Sequence, residues 1–143
     1  MPNQVAYWSL LALCCAYVLW RGGRPERQAI AAWTAASALS TAAVVAGIGA
    51  YETLQFGVLA VDLALLGFLV RLALRADRFW PLWVTGFHLV GVMTHLAKAM
   101  APELHPWAYA VGQAAGGYLI MATITAGAMR HHARLIRRGA APS

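Results

Sequence analysis

Charged residues are scarce in this chain. They make up 11% of its 143 residues, and only five residues are acidic. Hydrophobic residues reach 61% and the mean hydropathy is +0.60, well outside the composition of ordinary soluble domains. This composition argues against a soluble fold and indicates an integral membrane protein. Because one span takes about 20 residues, the chain has room for about four to six spans and no sizeable soluble domain.

Cysteine and catalytic signatures are also scarce or missing. The two cysteines, Cys14 and Cys15, are adjacent within an apolar run, so they predict no disulfide framework. The chain contains no HExxH, P-loop, GxSxG or CxxC motif. Its serines and threonines are mostly scattered through apolar segments, with no arrangement that indicates an activated nucleophile. The sequence therefore favours a non-enzymatic role and identifies no catalytic residue.

The positive charge is concentrated in three short clusters. The formal net charge is +6, and ten of the eleven basic residues lie in the segments 21–28, 71–78 and 130–138. Basic clusters that alternate with apolar runs are typical of the cytoplasmic loops of membrane proteins. We therefore expect these clusters to contact anionic lipid headgroups, and we expect no nucleic-acid partner.

Five apolar runs alternate with these clusters and with two turns that lack arginine. The runs cover residues 4–20, 30–49, 54–74, 80–100 and 107–129. With five spans, all three basic clusters lie on one side of the membrane, and the turns near Glu52 and Glu103 lie on the other. The sequence predicts an all-α transmembrane helical bundle, a single domain over residues 1–143. Its amino terminus is expected outside and its carboxyl terminus in the cytoplasm, as a multi-pass protein of a cell inner membrane.

Ionisable side chains interrupt the apolar runs at membrane depth. Asp62 is the carboxylate farthest from either predicted interface, and His88, His95 and Lys98 share one face of the helix 80–100. Such groups are costly in lipid unless they face a bundle interior, a partner or a water-filled cavity. At about 1.5 Å per residue, the height of Asp62 falls between those of the two histidines, and Gln113 reaches a similar depth to His95. These five residues form the predicted ligand or proton site in the outer half of the bundle, with Glu52 and Tyr109 nearer the outer surface.

Two classes of function fit these features. Ridges of small residues on the second and fifth spans, including the GxxxG pair Gly112 and Gly116, suit an accessory or scaffolding subunit of a membrane complex or a homo-oligomer. The same GxxxG spacing also suits contact with another helix of the same chain. Asp62 with a histidine suits a protein that handles a proton or a small ligand, although such a pair also suits a structural clasp between two spans. Of the two classes, the sequence favours the accessory subunit.

A haem-binding or quinone-binding redox subunit is an alternative that the sequence favours less. His88 and His95 lie on one helix about 10 Å apart, so they cannot both ligate one iron axially. A quinone needs only one or two polar groups in an apolar cleft, which the sequence neither supports nor excludes. Zinc would find at most three ligands, in Asp62 and these histidines, at unsuitable heights. We therefore predict no metal site and no resident cofactor.

Overall fold

The computed structural model has five α-helices and, in the part of the chain that it describes, no β-strand. It describes residues 2–45, 51–101, 103 and 105–139, without the side chains of residues 2, 3, 44, 51–55, 106, 108 and 110. The helices are α1 (Pro2–Arg21), α2 (Arg24–Val45), α3 (Tyr51–Arg75), α4 (Trp80–Met100) and α5 (Pro106–Gly139). The predicted all-α class and the number of helices are confirmed.

Two of the predicted boundaries differ from the observed helices by more than one helical turn. The loop predicted over the basic segment 21–28 is shorter than expected, because α2 already begins at Arg24 instead of residue 30. Gly22 and Gly23 alone form the turn; a Cβ on Gly22 would lie 2.5 Å from the Val18 carbonyl oxygen. α5 continues to Gly139 instead of ending at residue 129, so the basic tail is helical. The predicted end of the second span at residue 49 lies outside the described residues.

Each helix packs against the next, and the last returns to the first. α1 packs on α2, α2 on α3, α3 on α4, α4 on α5, and α5 on α1, while α2 and α5 also contact each other. Short connections make consecutive helices antiparallel neighbours. The arginines of residues 21–27, 71–78 and 130–138 therefore gather at one end of the bundle, which we call the basic end. We call the opposite end, with Lys98, Ala101 and Glu103, the lysine end.

The interior and the outward faces of the bundle are both apolar. Fully buried side chains include Leu11, Val18, Ile30, Leu69, Val84, Ile120, Met121 and Ile124. Exposed large apolar side chains include Leu13, Leu39, Phe56, Leu63, Leu74, Leu82, Val90, Met93, Val111, Leu119 and Met129. Soluble monomers rarely expose contiguous apolar surface on this scale.

Helix length and hydropathy single out one candidate membrane span. Within the described residues, α3 over Phe56–Arg75 is the single helix that is long and apolar enough to cross a membrane. The other helices contain more alanine, glycine, histidine, tryptophan or arginine, which lowers their hydropathy. The predicted five-span arrangement is therefore not confirmed by this measure.

Glu26 is fully buried at the basic end, although the sequence places it in an arginine-rich segment. Its side chain is 0% exposed, and the Trp80 indole N–H donates a hydrogen bond to Oε1 at 3.0 Å. Arg78 Nη1 lies 3.7 Å from the same oxygen, and Arg78 Nη2 donates to His131 Nδ1 at 3.2 Å. The first turn of α2 also favours a carboxylate, because the helix dipole is positive there. Glu26 thus ties α2 to the start of α4 and, through Arg78, to α5.

We predict that Glu26→Leu destabilises the bundle more than Glu26→Gln does. Glutamine keeps an oxygen acceptor for the Trp80 N–H, whereas leucine leaves that buried donor unpaired at a cost of about 1 to 3 kcal/mol. Denaturant unfolding of the detergent-solubilised protein measures the difference. Asp77→Leu, at an exposed position of the same end, serves as the control. Equal stability of Glu26→Leu and the unmodified protein would contradict the prediction.

Candidate functional site

Asp62 and His95 pair across the contact between α3 and α4. Asp62 Oδ2 lies 2.9 Å from His95 Nε2, and the two side chains are 17% and 16% exposed. Because Nε2 faces a carboxylate, this nitrogen carries a proton and donates it. The helical spacing of α4 places His88 and Gly91 on the same face as His95, toward α3 and α5. The pair therefore joins two antiparallel helices within the apolar bundle.

Tyr109 extends this pair to a third helix. Its hydroxyl oxygen lies 2.8 Å from His95 Nδ1, and the two rings meet edge to face with centroids 5.6 Å apart. In the neutral imidazole the tyrosine O–H donates to Nδ1, whereas in the imidazolium the Nδ1–H donates to the hydroxyl oxygen. We refer to the three residues as the Asp62–His95–Tyr109 chain. This chain holds a hydrogen bond at both imidazole nitrogens in either protonation state of His95.

His88 lies two turns from His95 along α4 and contacts Asp62 through the main chain. Its Nε2–H donates to the Asp62 carbonyl oxygen at 2.9 Å, and His88 is 5% exposed. The ring also packs edge to face against Trp33 of α2, with centroids 5.8 Å apart. Both histidines thus bond to residue 62, one through the carboxylate and the other through the backbone.

The remaining predicted residues lie around this group at different distances. Gln113 of α5 donates from Nε2 to the Gly91 carbonyl oxygen at 3.1 Å. Lys98 borders a small cavity of about 30 Å³ that His95 and Tyr109 also line. The side chain of Glu52 lies outside the described residues. The structure therefore brings Asp62, both histidines and Gln113 together, and it places Lys98 on the lysine-end side of them.

A cavity of about 320 Å³ adjoins the Asp62–His95 pair, and we call it the outer cavity. Its aromatic walls are Tyr7 of α1 and Trp33 of α2, and Gln113 contributes an amide. The Tyr7 hydroxyl is held 3.1 Å from the Ser37 hydroxyl, which also lines the cavity. This volume lies at the lower end of small-molecule sites, which run from roughly 300 to 1,000 Å³. The outer cavity suits one small, partly polar molecule.

Sequence reasoning missed the two aromatic residues of this wall. Tyr7 lies near the end of an apolar run, so the aromatic belt of a membrane interface explains its position as well as a role in a cavity wall does. Trp33 gave no polar signal, yet its indole Nε1 is buried and has no hydrogen-bond partner among the described residues. Their role as wall residues follows from how α1 and α2 pack, which no local pattern reports.

The glycine motif of α5 faces α4. A Cβ on Gly112 would lie 3.6 Å from Thr94, and one on Gly116 would lie 3.8 Å from the Phe87 carbonyl oxygen, which are ordinary contact distances. Within the described residues, no group of three or more histidine, cysteine, aspartate or glutamate side chains is placed to hold a metal ion. The hydrogen bonds of the Asp62–His95–Tyr109 chain allow proton exchange and the binding of a polar group.

We predict that Tyr109→Phe alters His95 while it preserves the ring packing. Loss of the hydroxyl removes the hydrogen bond at Nδ1, which contributes about 0.5 to 1.5 kcal/mol. Nitrogen NMR of histidine-labelled protein in micelles should show a shift of the His95 Nδ1 resonance. Tyr118→Phe, at an exposed position of the same helix, should leave the resonance in place. An unshifted resonance in Tyr109→Phe would contradict the hydrogen bond.

Comparisons with known proteins give no family for this chain. No protein-family model matches it, and neither the curated proteins nor the solved structures contain a match. Its function therefore has to be inferred from the Asp62–His95–Tyr109 chain and the outer cavity beside it.

Proposed function

We propose that this protein handles a proton or a small ligand within a membrane, at the Asp62–His95–Tyr109 chain. The observation that carries the proposal is a carboxylate bonded to an imidazole at 2.9 Å, and the same imidazole bonded to a phenol at 2.8 Å. Asp62 and His95 of this chain also line the outer cavity of about 320 Å³. This geometry favours a role in handling a proton or a small ligand, whereas the composition alone favours an accessory role.

The protonation chemistry of the chain is reversible at low structural cost. A proton added at His95 Nδ1 only reverses the direction of the hydrogen bond to Tyr109, since the hydroxyl can donate or accept. The Asp62 carboxylate stabilises the resulting imidazolium, because it lies in direct contact with Nε2. A positively charged ligand in the outer cavity would compete with the imidazolium for the same carboxylate. Binding and protonation would then be coupled through Asp62.

We infer that the five helices span a cell inner membrane with the basic end in the cytoplasm. Support comes from the apolar outward faces and from the arginines gathered at a single end. The polar groups of the Asp62–His95–Tyr109 chain lie between helices, as membrane-depth polar groups must. α5 has 34 residues and a length of about 50 Å, beyond the roughly 30 Å of hydrocarbon. Its basic last turns would therefore extend into the cytoplasm.

Anionic lipids are the partners that suit the basic end. A groove of about 530 Å³ there is lined by Arg24, Arg75 and Arg78, with Leu72 as an apolar side chain. Guanidinium groups pair with phosphate through two hydrogen bonds. Basic pockets between helices at the cytoplasmic interface suit phospholipid headgroups.

A second candidate role is that of an accessory or scaffolding subunit, in a membrane complex or a homo-oligomer. Ala31, Ala35, Ala38 and Ala42 form an exposed stripe along α2, at spacings of one helical turn. In lipid, small residues allow a neighbouring helix to approach closely. A stoichiometric partner retained in mild detergent would support this role, and a self-contained chain with a bound small molecule would support the first.

We predict that thiol labelling of intact cells will report the proposed topology, with the basic end in the cytoplasm. Asp77→Cys and Glu103→Cys occupy exposed positions at opposite ends of the bundle, in a background with both native cysteines replaced by alanine. A membrane-impermeant maleimide should label Glu103→Cys in intact cells and Asp77→Cys only after permeabilisation. Labelling of Glu103→Cys only after permeabilisation would contradict the orientation.

The function itself is tested at Asp62 with a matched pair of variants. Asp62→Asn keeps an oxygen acceptor but removes the charge, so proton flux into proteoliposomes with a trapped pH dye should be lost while the protein still assembles. Asp62→Leu also leaves His95 without its acceptor, which should cost about 1 to 3 kcal/mol of unfolding free energy. Glu103→Gln, an exposed carboxylate, is the control. Full flux in both Asp62 variants would remove Asp62 from the site.

A further inference from the structure

A second cavity of about 40 Å³ lies beside His88, and we call it the inner cavity. Trp33, Asp62 and Gln113 line both this cavity and the outer cavity. His88 lines the inner cavity, whereas His95 lines the outer one. Asp62 is thus the carboxylate at the boundary between the two cavities, with one histidine on each side.

The polar atoms around the inner cavity have unused hydrogen-bonding capacity. The Trp33 Nε1–H is buried and has no partner among the described residues, which is unfavourable for an indole donor. His88 donates through Nε2, so Nδ1 of the neutral ring is an acceptor. Gln113 donates through its amide nitrogen, so its Oε1 is a second acceptor. The three residues that carry this donor and these two acceptors all line the same small space.

Three glycines from two helices leave that space open. Gly91, Gly116 and Gly117 all line the inner cavity. A Cβ on these residues would have its nearest contacts at 3.7, 3.8 and 3.5 Å, which are ordinary van der Waals distances. Helix packing therefore does not require glycine at these positions. Three absent methyl groups leave room for an occupant beside His88.

We propose that the inner cavity binds a water molecule that links His88 to Asp62. The water accepts a hydrogen bond from the Trp33 indole N–H and donates to His88 Nδ1 and Gln113 Oε1. Its second lone pair accepts from the Asp62 carboxyl group when that group is protonated, which gives the three to four partners of a well-bound buried water. The cavity volume of about 40 Å³ exceeds the roughly 10 to 15 Å³ that one water needs. This inference rests on the proposed proton-handling function and extends it from His95 to His88.

The water gives Asp62 a second route for its proton. The His95 imidazolium first gives its Nε2 proton to Asp62 and becomes neutral. When the resulting carboxyl group of Asp62 passes a proton to the water, one proton of the water passes to His88 Nδ1. Asp62 becomes a carboxylate, His88 becomes an imidazolium, the water is regenerated, and no electron is transferred. His88 lies about 10 Å along α4 from His95. Protons handled at Tyr109 and His95 thereby reach two helical turns further into the bundle.

The indole N–H of Trp33 reports the water directly. Tryptophan-labelled protein in micelles should show a magnetisation-transfer peak between this N–H and water, assigned by its loss in Trp33→Phe. The double variant Gly91→Ala/Gly116→Ala adds two methyl groups at positions that line the inner cavity and not the outer one, and its water peak should disappear. Gly86→Ala is the matched control, because a Cβ there has no neighbour within 4 Å, and its water peak should remain.

Either of two results would overturn the inference. One is the absence of a water peak at Trp33 in the unmodified protein, and the other is a peak that persists in a folded double variant. Resonance dispersion establishes folding, and the single variant Gly91→Ala replaces the double variant if the latter unfolds. Failure of the proposed function gives a different pattern, since Asp62→Asn would then keep its proton flux whether or not Trp33 contacts water.

Discussion

Polar side chains inside an apolar bundle need partners on other helices, and this requirement determines how the five helices meet. Apolar contacts have little directionality, so by themselves they allow a helix to slide or rotate against its neighbours. The bond from Trp80 to Glu26 sets the height of α4 against α2 at the basic end. The bond from His95 to Asp62 sets α4 against α3 nearer the lysine end, and Tyr109 adds α5. Two polar networks thus fix the position of α4, one at Trp80 and the other at His95.

The two networks differ in their access to other molecules, and this difference separates their roles. Glu26 is fully enclosed, and its contacts with Trp80 and Arg78 suit a structural tie between helices. Asp62 is partly exposed and lines two cavities, so its carboxylate can be reached by a ligand or by water. Because a proton or a ligand can reach the Asp62–His95 pair, this pair suits reversible chemistry better than the enclosed Glu26 does.

Helical periodicity was sufficient to predict that His88 and His95 share one face of α4. The spacing of His88, Gly91 and His95 gives one face of a helix, and the rise per residue gives the height of Asp62 between the histidines. The burial of Glu26 could not be predicted in the same way. Its neighbours in sequence are arginine, proline and glycine, which indicate a solvated turn. Its partner Trp80 is 54 residues away, so only tertiary packing reveals the contact.

The full length of α5 could not be predicted from the sequence pattern either. Hydropathy falls at residue 130, where arginines and histidines replace apolar side chains, and this marked the predicted end of the span. Arginine is nevertheless a good helix former, so the helix can continue where the apolar run stops. His131 and His132 then reach Arg78 and Arg21 at the basic end. Adjacent histidines in a basic tail gave no indication of these contacts.

An apolar layer separates the two networks and limits what the site can do in this conformation. Ile30, Val84 and Ile124 are 0% exposed. Toward the basic end, Ile30 lies about one helical turn from Glu26, and Val84 lies about one turn from Trp80. Ile124 lies about one turn from Gly127, where a Cβ would lie 3.0 Å from the Trp80 ring. Toward the lysine end, each lies about one turn from a residue that lines the inner cavity, namely Trp33, His88 or Ile120. Moving a charge or a chain of water through such a layer is strongly unfavourable. In this conformation the proposed proton route from Tyr109 therefore ends at His88. The geometry accordingly suits a site that is loaded from the lysine end, and a proton flux across the membrane requires α2, α4 and α5 to move apart at this layer.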